Sequence, residues 1–107
     1  MTHPDTLGSI NNLASLLQGQ GKLSEAQPLL REALEGRRRT LGDTHHSTLI
    51  SINNLASLHQ AQGKLKEAEP LYREAVNGAK KTLGDAHPTT VIFQKNLARL
   101  LQKMGKA

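Results

Sequence analysis

The stretch INNLASLHQAQGKLKEAEPLYREA at residues 52–75 decides the fold, because INNLASLLQGQGKLSEAQPLLREA at residues 10–33 is nearly the same sequence. The two copies begin 42 residues apart. The same interval separates three shorter segments: His3-Pro4-Asp5-Thr6-Leu7, His45-His46-Ser47-Thr48-Leu49 and His87-Pro88-Thr89-Thr90-Val91. Self-similarity at a fixed period indicates a repeat architecture, in which each unit packs against its neighbours.

Apolar residues within one unit recur at intervals of three and four, which predicts amphipathic helices. The first series is Leu7, Ile10, Leu13, Ala14 and Leu17, and the second is Ala26, Leu29, Leu30 and Ala33. Glycine allows the left-handed backbone that ends a helix. Gly21 and Gly63 end the first helix of each unit, and Gly42 and Gly84 end the second. Each unit is therefore predicted to be a pair of antiparallel helices.

The repeat divides the whole chain. We expect helices near residues 5–20, 24–41, 47–62, 66–83 and 89–104. Repeat one covers 3–44, repeat two covers 45–86, and a terminal half-repeat helix covers 87–107. Recurring alanines allow close helix packing, and one helix pair cannot bury its own apolar face. The predicted fold is thus an all-α solenoid of two and a half repeats and five helices.

Composition restricts the class of protein. The 107 residues suffice for one small domain with a core. No cysteine is present, and no apolar run approaches the roughly 20 residues that span a bilayer. The first four residues lack the pattern of a signal peptide, so we expect a cytoplasmic protein. Lys and Arg exceed the acids by 14 to 9, giving a charge of +5 that attracts acidic partners of any kind.

Catalytic motifs are absent from the sequence. It contains no glycine-rich phosphate loop, no HExxH pattern and no serine elbow. His3, His45 and His87 recur once per repeat, but stacked repeats would hold them about 10 Å apart, whereas zinc ligands lie about 2 Å from the metal. We therefore expect no enzyme activity, no cofactor and no metal site, and we interpret these histidines as residues that precede helices.

The segments Ile52–Leu58, Gln62–Leu65, Glu67–Ala75 and Thr82–Pro88 resemble the tetratricopeptide repeat, in the 42-residue variety found in kinesin light chains and many bacterial multi-repeat proteins. The resemblance covers essentially the whole chain. It implies a right-handed superhelix in which the first helices of the repeats line a concave groove. In this family, such grooves hold extended or short helical peptide segments.

The resemblance also implies which residues line that groove, because asparagines of the first helices commonly grip the ligand backbone in this family. A carboxamide can donate and accept hydrogen bonds at once, so it pairs with any peptide unit. In the last helix, Lys95 and Arg99 stand where Asn53 and Ser57 stand in repeat two, which favours acidic ligands. The predicted peptide-binding residues are Asn11, Asn12, Ser15, Asn53, Asn54, Ser57, Lys95, Asn96 and Arg99. A structural role, in which asparagines tie adjacent helices together, is the alternative.

Two departures from the family pattern lie outside the groove. Gly36 and Gly78 stand where the family usually has an aliphatic residue, and each costs about 1 kcal/mol relative to alanine within a helix. We expect the second helices to be soft there. His46 replaces the usual proline, so the start of repeat two is expected to be less fixed.

The leading hypothesis is a protein- or peptide-binding adaptor. The alternative is a structural unit that forms a dimer or a domain swap through the uncovered terminal helix, with Phe93, Leu97, Leu101 and Met104 as the apolar strip. Gln94, which replaces an isoleucine, instead favours a solvated cap. A third hypothesis, an RNA-binding solenoid, rests on the basic charge, but the chain has only Tyr72 and Phe93 for base stacking.

Overall fold

A computed structural model describes residues 4–105, with side chains described from Asn12 onward. These residues form five α-helices, which confirms the predicted all-α architecture. The helices are α1 (Pro4–Gly19), α2 (Leu23–Leu41), α3 (His46–Ala61), α4 (Leu65–Leu83) and α5 (Pro88–Lys103). No helix in the described part of the chain combines the length and hydrophobicity that crossing a membrane requires.

Glycine ends the helices where the sequence predicts it. Gly63 follows α3 with φ +79°, and Gly84 follows α4 with φ +92°. This left-handed region suits glycine, which has no Cβ. After Gly63 the chain reverses at once, and the Lys64 amide donates to the carbonyl of His59 at 2.8 Å. The short turns make consecutive helices antiparallel.

The first helix of repeat two, α3, lies between the second helices α2 and α4. Its apolar residues Leu49, Ile52, Leu55 and Leu58 are each 5% exposed or less. Burying a leucine or isoleucine side chain contributes about 1.5–3 kcal/mol, so these four positions are a large part of the core. This packing on both sides sets α1, α3 and α5 side by side along one layer, with α2 and α4 along the other.

Gly78 allows α3 and α4 to approach closely. It is buried in α4, and a Cβ at this position would lie 2.5 Å from Cδ2 of Leu49. Leu49 is fully buried and has little room to move. The space of the missing side chain is therefore occupied by the side chain of Leu49 from the neighbouring helix. Gly36 is likewise buried in α2.

Two arginines at the end of α2 join the repeats. Arg37 Nη1 donates to Ser51 Oγ at 2.6 Å. Arg38 makes a bidentate ion pair with Glu74 on α4, with distances of 2.7 and 3.0 Å, and also donates to Asp43 at 3.0 Å. These hydrogen bonds with Glu74 raise the pKa of Arg38 above its ordinary value. The network is partly exposed, so its contribution is about 1 kcal/mol or less, but its geometry orients α4 against α2.

Replacing Gly78 with alanine tests the close approach. We expect Gly78→Ala to lower the free energy of unfolding by about 1 kcal/mol, because overpacking, typically about 1–3 kcal/mol, exceeds the gain in helix propensity of about 1 kcal/mol. Urea unfolding followed by circular dichroism measures the change. Gly19→Ala is the matched control, because no atom lies within 4 Å of its Cβ position, and it should stabilise the protein. Equal stabilisation by both variants would contradict this packing.

Candidate functional site

Predicted groove residues from two repeats meet in a chain of hydrogen bonds between α3 and α5. Asn96 Nδ2 donates to Asn53 Oδ1 at 3.2 Å. Arg99 Nη2 donates to Asn96 Oδ1 at 3.4 Å. Because the first bond joins two helices, these asparagines have the structural role that the sequence left as an alternative. Both are only half-buried, and a carboxamide can make further hydrogen bonds, so they also remain able to contact a ligand.

A polar cleft of about 300 Å³ opens beside this chain of hydrogen bonds. Its lining residues are Ser57, Gln60, Ala61, Tyr72, Asn96, Arg99 and Lys103. At its base, the buried Tyr72 donates from its hydroxyl to Gln60 Oε1 at 2.9 Å. Burial raises the pKa of the Tyr72 hydroxyl, against the opposing effects of Ser57 and Arg99. The hydroxyl is therefore protonated at neutral pH and acts as a hydrogen-bond donor.

Sequence reasoning missed three polar residues that line the cleft, namely Gln60, Tyr72 and Lys103. One signal was available for Lys103, which follows Lys95 and Arg99 at successive intervals of four residues and so shares their helix face. Tyr72 carried a weaker signal, since it replaces Leu30 in an otherwise similar segment. No pattern in the sequence indicated Gln60.

The basic residues of the first helices are concentrated on α5. Neither α3 nor α5 contains an acidic residue, and the exposed Lys95, Arg99 and Lys103 form a basic row along α5. The second helices instead mix eight lysines and arginines with six glutamates: Glu25, Glu32, Glu35, Glu67, Glu69 and Glu74. This distribution leaves the positive charge of α5 without acidic neighbours on α3 or on α5 itself. Such an arrangement attracts negatively charged ligands.

The other predicted groove residues are less closely grouped. Asn12 and Ser15 are exposed on α1, and Asn54 is half-buried on α3. The side chain of Asn11 lies outside the described residues. The structure thus brings together Ser57, Asn96 and Arg99 in the lining of the polar cleft, with Asn53 bonded to Asn96, and leaves the α1 residues at a separate part of the layer.

The residues predicted for self-association are more buried than the sequence suggested. Phe93 is 3% exposed and belongs to the core, so it does not contribute to an exposed strip on α5. Its ring points inward because its position faces the core in the repeat, as the full burial of its repeat equivalent Ser51 shows. Leu97, Leu101 and Met104 are partly buried, and Leu97 and Met104 pack against the core.

The largest exposed apolar side chains lie elsewhere. Leu13 and Leu16 on α1 are 48% and 59% exposed, whereas their repeat equivalents on α3, Leu55 and Leu58, are 5% and 0% exposed. The difference arises because α3 packs against both α2 and α4, whereas α1 packs against α2. Ile92 on α5 is also 55% exposed.

The histidines that precede α3 and α5 cap those helices. His45 Nδ1 accepts from the Ser47 amide at 3.0 Å, and His87 Nδ1 accepts from the Thr89 amide at 3.1 Å. A neutral imidazole that accepts at Nδ1 carries its proton on Nε2, so no free lone pair remains for a metal ion. This geometry supports the interpretation of His45 and His87 as residues that precede helices. Residues 4–105 contain no cluster of three His, Cys, Asp or Glu side chains suited to a metal.

One protein-family model matches most of this chain. The model of the tetratricopeptide repeat family matches residues 5–81 and 49–107. A search of curated proteins finds no match.

Solved structures are similar over nearly the whole chain. One shows nearly identical TPR-like repeats from a Podosopora anserina protein described as a kinesin light chain: identity is 37%, coverage 99% of this chain and 50% of that one, and TM-score 0.89. A variant of that protein is 35% identical, with coverage of 99% of this chain and 50% of that one and a TM-score of 0.88. BtubC (BKLC) from P. vanneervenii is 23% identical, with coverage of 97% of this chain and 41% of that one and a TM-score of 0.87. This similarity supports the fold alone. This chain spans half or less of each of those chains.

The cap at α5 can be tested by substitution. We expect His87→Ala to destabilise the protein by about 1 kcal/mol, because the Thr89 amide loses its acceptor. His87→Asn should retain most of the stability, because asparagine is among the preferred N-cap residues. Urea unfolding of the two variants measures the difference. Equal stability of His87→Ala and the unmodified protein would show that the bond to Thr89 contributes nothing.

Proposed function

Because the chain belongs to the tetratricopeptide repeat family, we propose that it binds a polypeptide segment along the layer of first helices α1, α3 and α5. Proteins of this family generally mediate protein interactions or act as scaffolds rather than enzymes. The observation that carries the proposal is the hydrogen-bonded series Asn53, Asn96 and Arg99 beside the polar cleft. It offers backbone recognition and charge recognition at one place.

Backbone recognition would come from the two asparagines. Asn53 uses its oxygen to accept from Asn96, which leaves the two N–H donors of its amide group for other partners in this orientation. A peptide carbonyl can accept from such a donor whatever its side chain. The bond between the asparagines also fixes their side chains before a ligand arrives, which lowers the entropy cost of binding.

Charge recognition would come from α5, and it favours an acidic segment. The bond from Arg99 to Asn96 is long, at 3.4 Å, so the guanidinium group can turn toward a carboxylate and form a bidentate pair. Lys103 lines the same cleft, and Lys95 extends the basic row. Each exposed charge pair contributes only about 0.2–1 kcal/mol, so we expect modest affinity that decreases with salt.

Self-association is the second candidate, and the exposed Leu13 and Leu16 favour it. A reciprocal exchange of α5 between two copies would re-form the contacts of α5 with α4. The burial of Phe93 in the core, however, removes it from an exposed contact surface on α5. Gln94, half-buried at the repeat position where Ile52 is fully buried, also disfavours a close apolar contact over α5.

Fluorescence anisotropy with labelled extended peptides of equal length tests the proposal. We expect saturable binding that is strongest for an acidic peptide, weaker for a neutral one and weakest for a basic one. Arg99→Glu should weaken binding of the acidic peptide by about tenfold, equal to about 1.4 kcal/mol, because it reverses a charge in the polar cleft. Asn53→Ala should weaken the binding of acidic and neutral peptides alike, because it removes a contact with the peptide backbone.

Arg39→Glu is the matched control. Arg39 is exposed on α2, so the variant makes the same change of net charge outside the layer of first helices. Circular dichroism must remain helical for all variants. Equal losses of affinity for the acidic peptide in Arg39→Glu and Arg99→Glu would indicate a general charge effect. That result would contradict binding along the first helices. Tighter binding of an oligonucleotide than of every peptide, with a steep salt dependence, would favour the RNA-binding alternative.

A further inference from the structure

One buried histidine interrupts the apolar pattern of the repeats. His59 lies in the last turn of α3, at the position that Leu17 occupies in repeat one and Leu101 in the terminal helix. It is 6% exposed. The repeat therefore places a titratable ring at a site where its other copies carry leucine.

The surroundings of His59 suit a neutral ring. It lies at a cleft of about 550 Å³ between α2 and α4, together with the apolar side chains of Leu34, Leu55 and Leu71. Its Nδ1 atom is buried and has no hydrogen-bond partner within the described structure. A second proton would place a charge on a buried ring among these apolar side chains, and the nearby Gln62 compensates for it only in part. Burying such a charge costs free energy that a neutral imidazole avoids.

Charged groups face His59 from three sides. They are Arg31, Glu35 and Arg38 on α2, Lys64 in the turn after α3, and Lys66 and Glu67 on α4. Arg38 is already neutralised by Glu74 and Asp43. Burial lowers the pKa of His59 most, and the positive charges of Lys64 and Arg31 lower it further. Glu67 and the nearby Gln62 act in the opposite direction and do not reverse the shift.

The direction of the pH effect follows from the two protonation states. In the unfolded chain a histidine has a pKa of about 6.5, and in the folded chain the pKa of His59 is lower. Below about pH 6.5, the unfolded chain therefore binds more protons than the folded chain at this residue. Stability from His59 is fully present above the unfolded pKa and decreases as the pH falls through it toward the folded pKa.

We propose that His59 is an acid-sensitive element of the junction between repeats one and two, which packs while the ring is neutral and loosens when the ring takes up a proton. The junction holds α2, α3 and α4 together, and α3 also carries Asn53 and Ser57. The proposal does not depend on the peptide-binding function, because its effect is on the folded state of the protein without ligand.

Denaturation at two pH values tests the proposal in a chain where His59 is the single histidine. His3, His45, His46 and His87 are each replaced by asparagine, which keeps a capping residue before α3 and α5. Urea midpoints are measured at about pH 7.5 and about pH 5.5, on either side of the unfolded pKa, for this background and for His59→Leu and His59→Gln within it. We expect the midpoint of the background to fall on acidification and the midpoints of both variants to fall clearly less.

Two different variants are used so that the proposal is still tested if one of them fails to fold. Leucine is the residue of the other repeats, and glutamine keeps polarity without titrating. An NMR titration of the single ring in the background should give a protonation midpoint below about 6.5. An equal loss of urea midpoint in the background and the variants would overturn the proposal, because carboxylates would then account for the acid sensitivity. A ring that protonates at or above about pH 6.5 would also overturn it.

Discussion

The packing of α3 between α2 and α4 is the constraint on which the rest of the structure depends. A first helix that is buried on both sides has to present apolar residues around most of its circumference, as Leu49, Ile52, Leu55 and Leu58 do. It also has to approach its neighbours closely, which Gly78 permits. With α3 fixed in this way, α1 and α5 lie on either side of it, and polar residues of α3 and α5 meet through the bond between Asn53 and Asn96.

The 42-residue period predicts the helices well, since every predicted boundary lies within one residue of the observed one. Periodicity and glycine positions are local properties, so sequence reasoning could use them. The ion pair of Arg38 with Glu74 joins residues 36 apart, and the contact of Gly78 with Leu49 joins two helices. A repeat register indicates which helices meet, but it does not indicate which side chain fills a gap. Phe93 was misplaced because its equivalents in the other repeats, Ser9 and Ser51, are polar and give no indication of burial.

The candidate site was predicted in part. Position in the repeat was enough to identify Asn53, Ser57, Asn96 and Arg99, because equivalent residues of stacked repeats lie on one surface. The cleft beside them depends on Tyr72, which comes from a second helix and bonds to Gln60. Asn96 joins α5 to α3 and lines the cleft at once, so the structural and binding roles considered for it are compatible. Charge makes the surface asymmetric, because the basic row lies on α5 alone.

The most direct test of this account is to map where an acidic peptide binds, by titrating it into ¹⁵N-labelled protein and following the NMR chemical shifts. We expect the largest changes at the side-chain amides of Asn53 and Asn96 and along the exposed faces of α3 and α5. Saturation at one set of residues, with α2 and the outer face of α4 unchanged, would support the groove as the binding surface. Changes confined to α2 and α4 would contradict it.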